Sequence, residues 1–259
     1  MPFVVANGHR VHYSLEGPEA APVILFSNSL GTRLSMWDAQ AAALRDRFRV
    51  LRYDARGQGD SEVTPGPYSI DLLGCDCLAL ADALGIERFH FCGLSMGGLI
   101  GQWLGIHAGQ RLHKLVIANT AARVGTAEVW NARIATVEAR GMPEIAAAAY
   151  GRWFTEAFVK RAPELAEPIR EGLLAANPQG YAASCAAVRD ADFRDSVASI
   201  ATPLLYIGGT SDPVTTVADG RFIVDRVPGA RLVELPASHL SNIESATGFT
   251  AALVNFLEA

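Results

Sequence analysis

Phe89-His90-Phe91-Cys92-Gly93-Leu94-Ser95-Met96-Gly97-Gly98 is the stretch on which the reading of this chain turns. Phe89 to Cys92 is a short apolar run of the kind that forms a buried strand. From Met96 to His107 the spacing predicts a helix, and Gly97, Gly101, Gly105 and Gly109 recur every fourth residue along one of its faces. Gly93-Leu94-Ser95-Met96-Gly97 fits G-x-S-x-G, a weak match by itself in a chain with 24 glycines. Its setting strengthens it. A sharp strand-to-helix turn pushes its central residue outward at a strained backbone angle, and a Cβ on either flank would collide. Ser95 is then expected at a helix N-terminus, where the free N–H of Met96 and the helix dipole favour negative charge beside the hydroxyl.

Phe89 to Gln110 contains no Asp, Glu, Lys or Arg and is long enough to be tested as a membrane span. Its six glycines and its strand-turn-helix pattern point instead to a helix packed closely on a sheet. Similar apolar runs occur at Val23–Phe26, Val50–Tyr53, Leu115–Ala118, Leu204–Ile207 and Leu232–Leu235, each read as a strand buried on both faces. Helix-length segments, Met36–Leu44, Ile70–Leu84 and Val214–Val227, lie between several of them. Alternation of this kind predicts a doubly wound α/β fold with a mostly parallel sheet. Phe3–Val5 and Val11–Leu15, joined through Asn7-Gly8, read as a hairpin that adds an antiparallel edge and brings the expected strands to eight.

The alternation stops after Asn119-Thr120 and resumes at Thr202-Pro203. Residues 121–198 are Ala-rich and helical in pattern, and are read as a cap above the carboxyl edge of the sheet, where such sheets bind ligands. Residues 1–120 and 199–259 form the core in this reading. Extra helices that only thicken the core are the alternative.

Composition bounds the rest. The chain has 259 residues, half of them hydrophobic, enough for a large core without disulfide or metal staples. With 22 basic and 27 acidic side chains the net charge is −5, and no basic block offers a surface for nucleic acid or anionic membrane. Cys75, Cys77, Cys92 and Cys185 lack the spacing of a zinc site or redox pair and are expected as buried thiols in a reducing, cytoplasmic setting. The first ten residues carry no basic and apolar secretion signal.

A serine hydroxyl needs a base to take its proton, and the base needs an acid to hold its tautomer. Of six histidines, His239 alone follows a strand of the sheet on a loop at its carboxyl end; His9, His12, His90, His107 and His113 lie in the hairpin, in a strand or at element ends. Asp212, in Gly208-Gly209-Thr210-Ser211-Asp212-Pro213, follows the preceding strand in the same way. The expected set is therefore Ser95, Asp212 and His239. The loop after Val23–Phe26 supplies a second oxyanion donor, the N–H of Leu30, beside that of Met96. Asp54 and Arg56, in a glycine-rich turn after another strand, are read as structural.

These features together resemble the alpha/beta-hydrolase fold over essentially the whole chain. More narrowly, Asn28-Ser29-Leu30-Gly31, Cys92 to Gly98, Gly101-Gln102-Trp103-Leu104-Gly105, Trp130-Asn131-Ala132-Arg133 and Ala237-Ser238-His239-Leu240-Ser241-Asn242-Ile243-Glu244 resemble the 3-oxoadipate enol-lactonases of the beta-ketoadipate pathway. The resemblance implies hydrolysis of a small anionic enol-lactone, with no metal or organic cofactor. A buried substrate carboxylate needs a cation. Arg133 is the first candidate, with Arg33, Arg123 and Arg140 as rivals and Trp130 and Trp153 as apolar walls. A carbon–carbon bond hydrolase or an esterase with the same triad is the alternative enzyme, and a hydrolase-fold ligand-binding protein the alternative of another class.

Overall fold

The short apolar runs pair into one sheet in the computed structural model, which describes residues 2–259. Met1, the first residue of the expected core, lies outside the described residues. The strands are β1 (Phe3–Ala6), β2 (His9–Glu16), β3 (Val23–Ser27), β4 (Arg49–Tyr53), β5 (Phe89–Leu94), β6 (Leu112–Ala118), β7 (Leu204–Gly209) and β8 (Arg231–Leu235). Their spatial order is β1-β2-β4-β3-β5-β6-β7-β8. β2 is antiparallel to β1 and to β4, and every other pairing is parallel. The eight-stranded, mostly parallel sheet is thus the one the alternation predicts. Asn7 and Gly8 both take positive φ, as a two-residue hairpin turn requires.

Central strands β5 and β7 are buried along their whole length. β8 is not buried on both faces as expected: it lies at the end of the sheet with one neighbour, and Arg231 and Glu234 reach solvent. Three of the cysteines are buried free thiols; Cys75 departs from expectation, being exposed on its helix.

Helices α1 (Asp38–Leu44), α2 (Ile70–Ala83) and α3 (Met96–His107) follow β3, β4 and β5. The helix expected from Met36 opens instead with a 3₁₀ turn, Leu34–Trp37. The glycine-bearing face of α3 lies against β5 and β6 and stops short of Gly109, which sits in a separate 3₁₀ turn. Between β6 and β7 come α4 (Ala127–Arg140), α5 (Pro143–Ala147), α6 (Tyr150–Trp153), α7 (Glu156–Arg161), α8 (Pro163–Leu174) and α9 (Pro178–Asp190). One hydrophobic cluster runs from the sheet into these helices, taking in Val137, Ala146, Phe158 and Leu173.

α10 (Val217–Val224) is shorter than the segment Val214–Val227 expected from sequence. The Asp212 carboxylate takes the N–H groups of Val214 and Thr215, so the helix starts only after Thr216, which closes a capping box with Asp219. α11 (Ser241–Glu244) and α12 (Ala246–Glu258) complete the chain. α12 has no counterpart among the sequence expectations, although Phe249, Leu253, Phe256 and Leu257 bury one helical face. No helix among the described residues is long and apolar enough to cross a membrane.

Candidate active site

Ser95 sits where β5 turns into α3, with φ 59° and ψ −112°, a conformation that L-residues adopt only under constraint. The constraint is visible in the bonds around it. Its N–H donates to Ala118 O at 2.9 Å, and its carbonyl accepts from Thr120 Oγ1 at 2.9 Å. The flanking glycines are required by close approach: a Cβ on Gly93 would lie 2.0 Å from Gly97 O, and one on Gly97 would lie 2.2 Å from Ser27 O. The turn leaves Ser95 half-buried while its neighbours on both sides are buried.

Three loops at the carboxyl edge converge on this serine. His239, after β8, places Nε2 2.9 Å from Ser95 Oγ. Its Nδ1 lies 2.8 Å from Asp212 Oδ2 on the loop after β7. The sequence-predicted trio is therefore brought together, with His239 and Asp212 almost wholly buried. Burial alone would raise the Asp212 carboxyl; hydrogen bonds from His239, Asn119 and the Val214 N–H, with the imidazole's charge, outweigh it and hold the group below the usual carboxylate range. Asn119 is absent from the sequence candidates. It closes β6 at φ 42° and donates from Nδ2 to Asp212 Oδ2 at 2.9 Å and to Ser238 O at 3.3 Å. Thr215 Oγ1 adds a 2.8 Å bond to the same carboxylate oxygen.

Met96 is the first residue of α3, so its N–H has no acceptor within the helix. The loop carrying Leu30 is held by its neighbours. Ser29 N–H donates to Met36 Sδ, Gly31 N–H to Gln58 Oε1 at 2.7 Å, and Thr32 N–H to Ser29 O. Between them the Leu30 N–H has no protein acceptor among the described residues. Gly97 N–H donates to Asn28 O at 3.0 Å, which ties this loop to the serine turn. Gln58, which positions the loop, comes from the glycine-rich turn read as structural. In that turn Asp54 accepts from Leu34 N–H, Asp60 N–H and His12, and Arg56 forms a buried two-toothed ion pair with Asp76 of α2. The turn therefore reaches well beyond local bonds. His12, Asp54 and Asp60 form the trio of metal-ligand type found among the described residues, and they line no part of the serine cleft.

The inserted helices supply the opposite wall. Leu30, Ser95 and His239 share a cleft with Trp130 and Arg133 of α4, Arg152 and Trp153 of α6, and Tyr181 of α9. Trp130 is locked by its Nε1–H bond to Val124 O at 2.7 Å, and the Arg133 guanidinium lies 4.6 Å from its ring centre. Arg152 is not among the candidates from sequence. Burial, and then the charge of Arg133, depress its pKa. Neither guanidinium is in an ion pair with a carboxylate among the described residues. The rivals lie elsewhere: Arg123 faces Asp192, Arg140 pairs with Glu144 in solvent, and Arg33 lines a separate small cavity. A larger cavity of about 540 Å³ between α4, α9 and Gly66-Pro67 holds no nucleophile with a base. The serine cleft itself is much smaller, about 40 Å³.

Residues 22–246 match the model of the alpha/beta hydrolase fold family. The chain is 45% identical to 3-oxoadipate enol-lactonase 2 of Acinetobacter baylyi, over 96% of this chain and 94% of that protein. It superposes on the crystal structure of the enol-lactonase from Burkholderia xenovorans with a TM-score of 0.98 at 46% identity, covering the whole of both chains. A thermophilic esterase from Thermogutta terrifontis, with malate bound, gives 0.91 at 28% identity over 99% of this chain and 96% of that one.

Proposed function

The chain belongs to the alpha/beta hydrolase fold family, and on that premise we propose that it hydrolyses 3-oxoadipate enol-lactone to 3-oxoadipate through an acyl-enzyme on Ser95. The reading is supported above all by one juxtaposition: a hydrogen-bonded Ser95, His239 and Asp212 facing two arginines that have no carboxylate partner. The identity to the enol-lactonases supports the choice of substrate. Unpaired guanidiniums in a cleft suit an anion and weigh against a neutral ester.

In this mechanism the substrate carboxylate sits on Arg133 and Arg152, with Trp130 and Trp153 against the ring. Ser95 Oγ attacks the lactone carbonyl as His239 Nε2 takes the hydroxyl proton, and the N–H groups of Leu30 and Met96 hold the oxyanion. Collapse breaks the bond to the ring oxygen, which leaves as an enol and takes the proton from His239. The enol tautomerises to a ketone, removing the nucleophile that would close the ring again. His239 then draws a proton from water as it attacks the acyl-enzyme, and gives it to Ser95 Oγ when the ester bond breaks, which frees the acid. The 121–198 segment acts as the cap over this cleft. No step draws on a metal or organic cofactor, and the buried thiols fit a cytoplasmic enzyme.

The test is turnover of purified enol-lactone by the protein and by Ser95→Ala. Catalytic turnover that falls at least a thousandfold in the variant, which stays folded because the side chain fills no core site, is the expected result. A variant within about tenfold of the parent, or a parent that reacts only once per chain, rejects the proposal.

A further inference from the structure

Glu244 belongs to the segment that ends the His239 loop, and nothing in the reaction above uses it. Its carboxylate is nevertheless shared between two walls of the cleft. Oε2 accepts from Ser238 N–H at 2.9 Å and from Thr155 N–H at 3.1 Å, and Oε1 accepts from Thr155 Oγ1. Ser238 immediately precedes His239. Thr155 lies two residues beyond Trp153 and caps α7. Two further bonds run in parallel between the same strips of chain: Ser238 Oγ donates to Arg152 O at 3.2 Å, and Leu240 N–H donates to Trp153 O at 3.0 Å. The residues flanking the base are thus fastened to the carbonyls of Arg152 and Trp153, which both line the cleft.

We infer that Glu244 is a positioning residue that joins the Arg152–Thr155 wall to the His239 loop, so that grip on the substrate's charged end and placement of the catalytic base are set together. The inference rests on the acyl-enzyme reading. A carboxylate suits this place because it accepts from several donors at once, and charge-assisted bonds to N–H groups are short and directional. Glu244→Gln would turn one accepting oxygen into an N–H₂ group facing a donor.

Glu244→Gln, Thr155→Val and their combination test this, with Thr155→Ser as the variant that keeps the hydroxyl. Rates are read per competent site, counted by titration with a fluorophosphonate, on the enol-lactone and on 4-nitrophenyl acetate. Coupling predicts that each of the first two variants lowers kcat on the neutral ester about tenfold through His239 and raises KM for the lactone about tenfold through Arg152, with KM for the ester unchanged. The combination does no more damage than the worse single change, and Thr155→Ser restores both constants. A merely structural Glu244 lowers the number of titratable sites and leaves per-site kcat and KM alone, and that result overturns the inference. If Glu244→Gln yields no folded protein, the two Thr155 variants decide by the same constants. A parent that cleaves the ester and not the lactone refutes the proposed substrate, while the kcat arm on the ester still reads the coupling.

Discussion

Removing one arginine at a time from the cleft separates anion binding from catalysis. A substrate carboxylate between Arg133 and Arg152 gains a charge-assisted bond from each, roughly 1.5–3 kcal/mol apiece. Arg133→Ala leaves Arg152 in place, so the loss is about 2 kcal/mol, or about thirtyfold in kcat/KM on the lactone. Arg152→Ala behaves alike. The double variant strands the carboxylate without a cation in a partly dry cleft, costing about 4 kcal/mol, close to a thousandfold. In the free protein the balance is different. Arg133 presses on the already depressed Arg152 guanidinium, so its removal relieves a like-charge contact while losing about 0.5–1 kcal/mol of packing on the Trp130 ring. The two effects oppose, and thermal unfolding of Arg133→Ala should stay within about 2 °C of the parent. Lysine at 133 recovers part of the loss, keeping the charge but not the two-pronged geometry. Steady-state kinetics on the lactone and on a neutral ester, with calorimetry on the same preparations, supply every number. Equal losses on both substrates, or a comparable loss from Arg33→Ala, Arg123→Ala or Arg140→Ala, refute the assignment.

Asp212→Asn should cut kcat about 10³- to 10⁴-fold by spoiling the imidazole tautomer and its stabilisation as a cation, measured under saturating lactone. In the parent, Asp212 is held ionised below the range in which an imidazole protonates, so the acid limb of kcat/KM should fall with a slope of one proton; a slope of two contradicts the low-lying carboxylate. His90, pushed down to about 4 by burial and then by His113 and Lys114, should make the fold acid-sensitive. The unfolded chain takes up this proton near pH 6.5 and the folded one only near 4, so stability is full above 6.5 and is lost as pH falls between the two, by up to about 2 kcal/mol at pH 5. Denaturant titrations at pH 7.5 and 5 should show a smaller drop for His90→Phe than for the parent, and parallel drops dismiss His90 as the cause. Gly97→Ala drives a Cβ to 2.2 Å from the Ser27 carbonyl, a backbone atom that cannot step aside. It should cost about 3 kcal/mol or more, some 6–12 °C in Tm, and unchanged melting would disprove the close approach.

Which parts of the site were legible in the sequence follows from what positions them. The alternation of apolar runs and helix-length segments carries the sheet, and the G-x-S-x-G turn carries Ser95, because both are local patterns imposed by backbone sterics. Asp212 and His239 were legible through chain order, each being the titratable residue on a loop after a late strand. Edge and length errors have physical causes: β8 lacks a second neighbour, and Asp212 takes two N–H groups that would have opened α10 earlier. Asn119, Gln58 and Glu244 carry no local signature, since each acts across loops far apart in the chain. One clue was available for Asn119: asparagine at a strand end tolerates the left-handed region better than most residues. Arg152 had one too, as the neighbour of a tryptophan already singled out.

The division between chemistry and selectivity runs along the same line. The strain at Ser95, about 1–3 kcal/mol, is carried by its bond to Ala118 O and by those it accepts from Thr120 and the first turn of α3, all on the sheet's carboxyl edge. The Gly97–Asn28 bond fastens the turn that presents the Met96 N–H to the loop that presents the Leu30 N–H, so the two proposed oxyanion donors are linked by a backbone contact. The serine turn and the two proposed oxyanion donors are therefore set by main-chain geometry, which sequence patterns report. The proposed anion-binding wall is different: α4, α6 and α9 deliver side chains whose meeting depends on how the helices inserted between β6 and β7 pack over the cleft. Its coupling to the base passes through Glu244 rather than through the serine turn. Exchanges in 121–198 outside the Arg152–Thr155 strip should accordingly alter KM and substrate choice, whereas those in the 93–97 turn, like those at Thr155, should alter kcat or the fold itself.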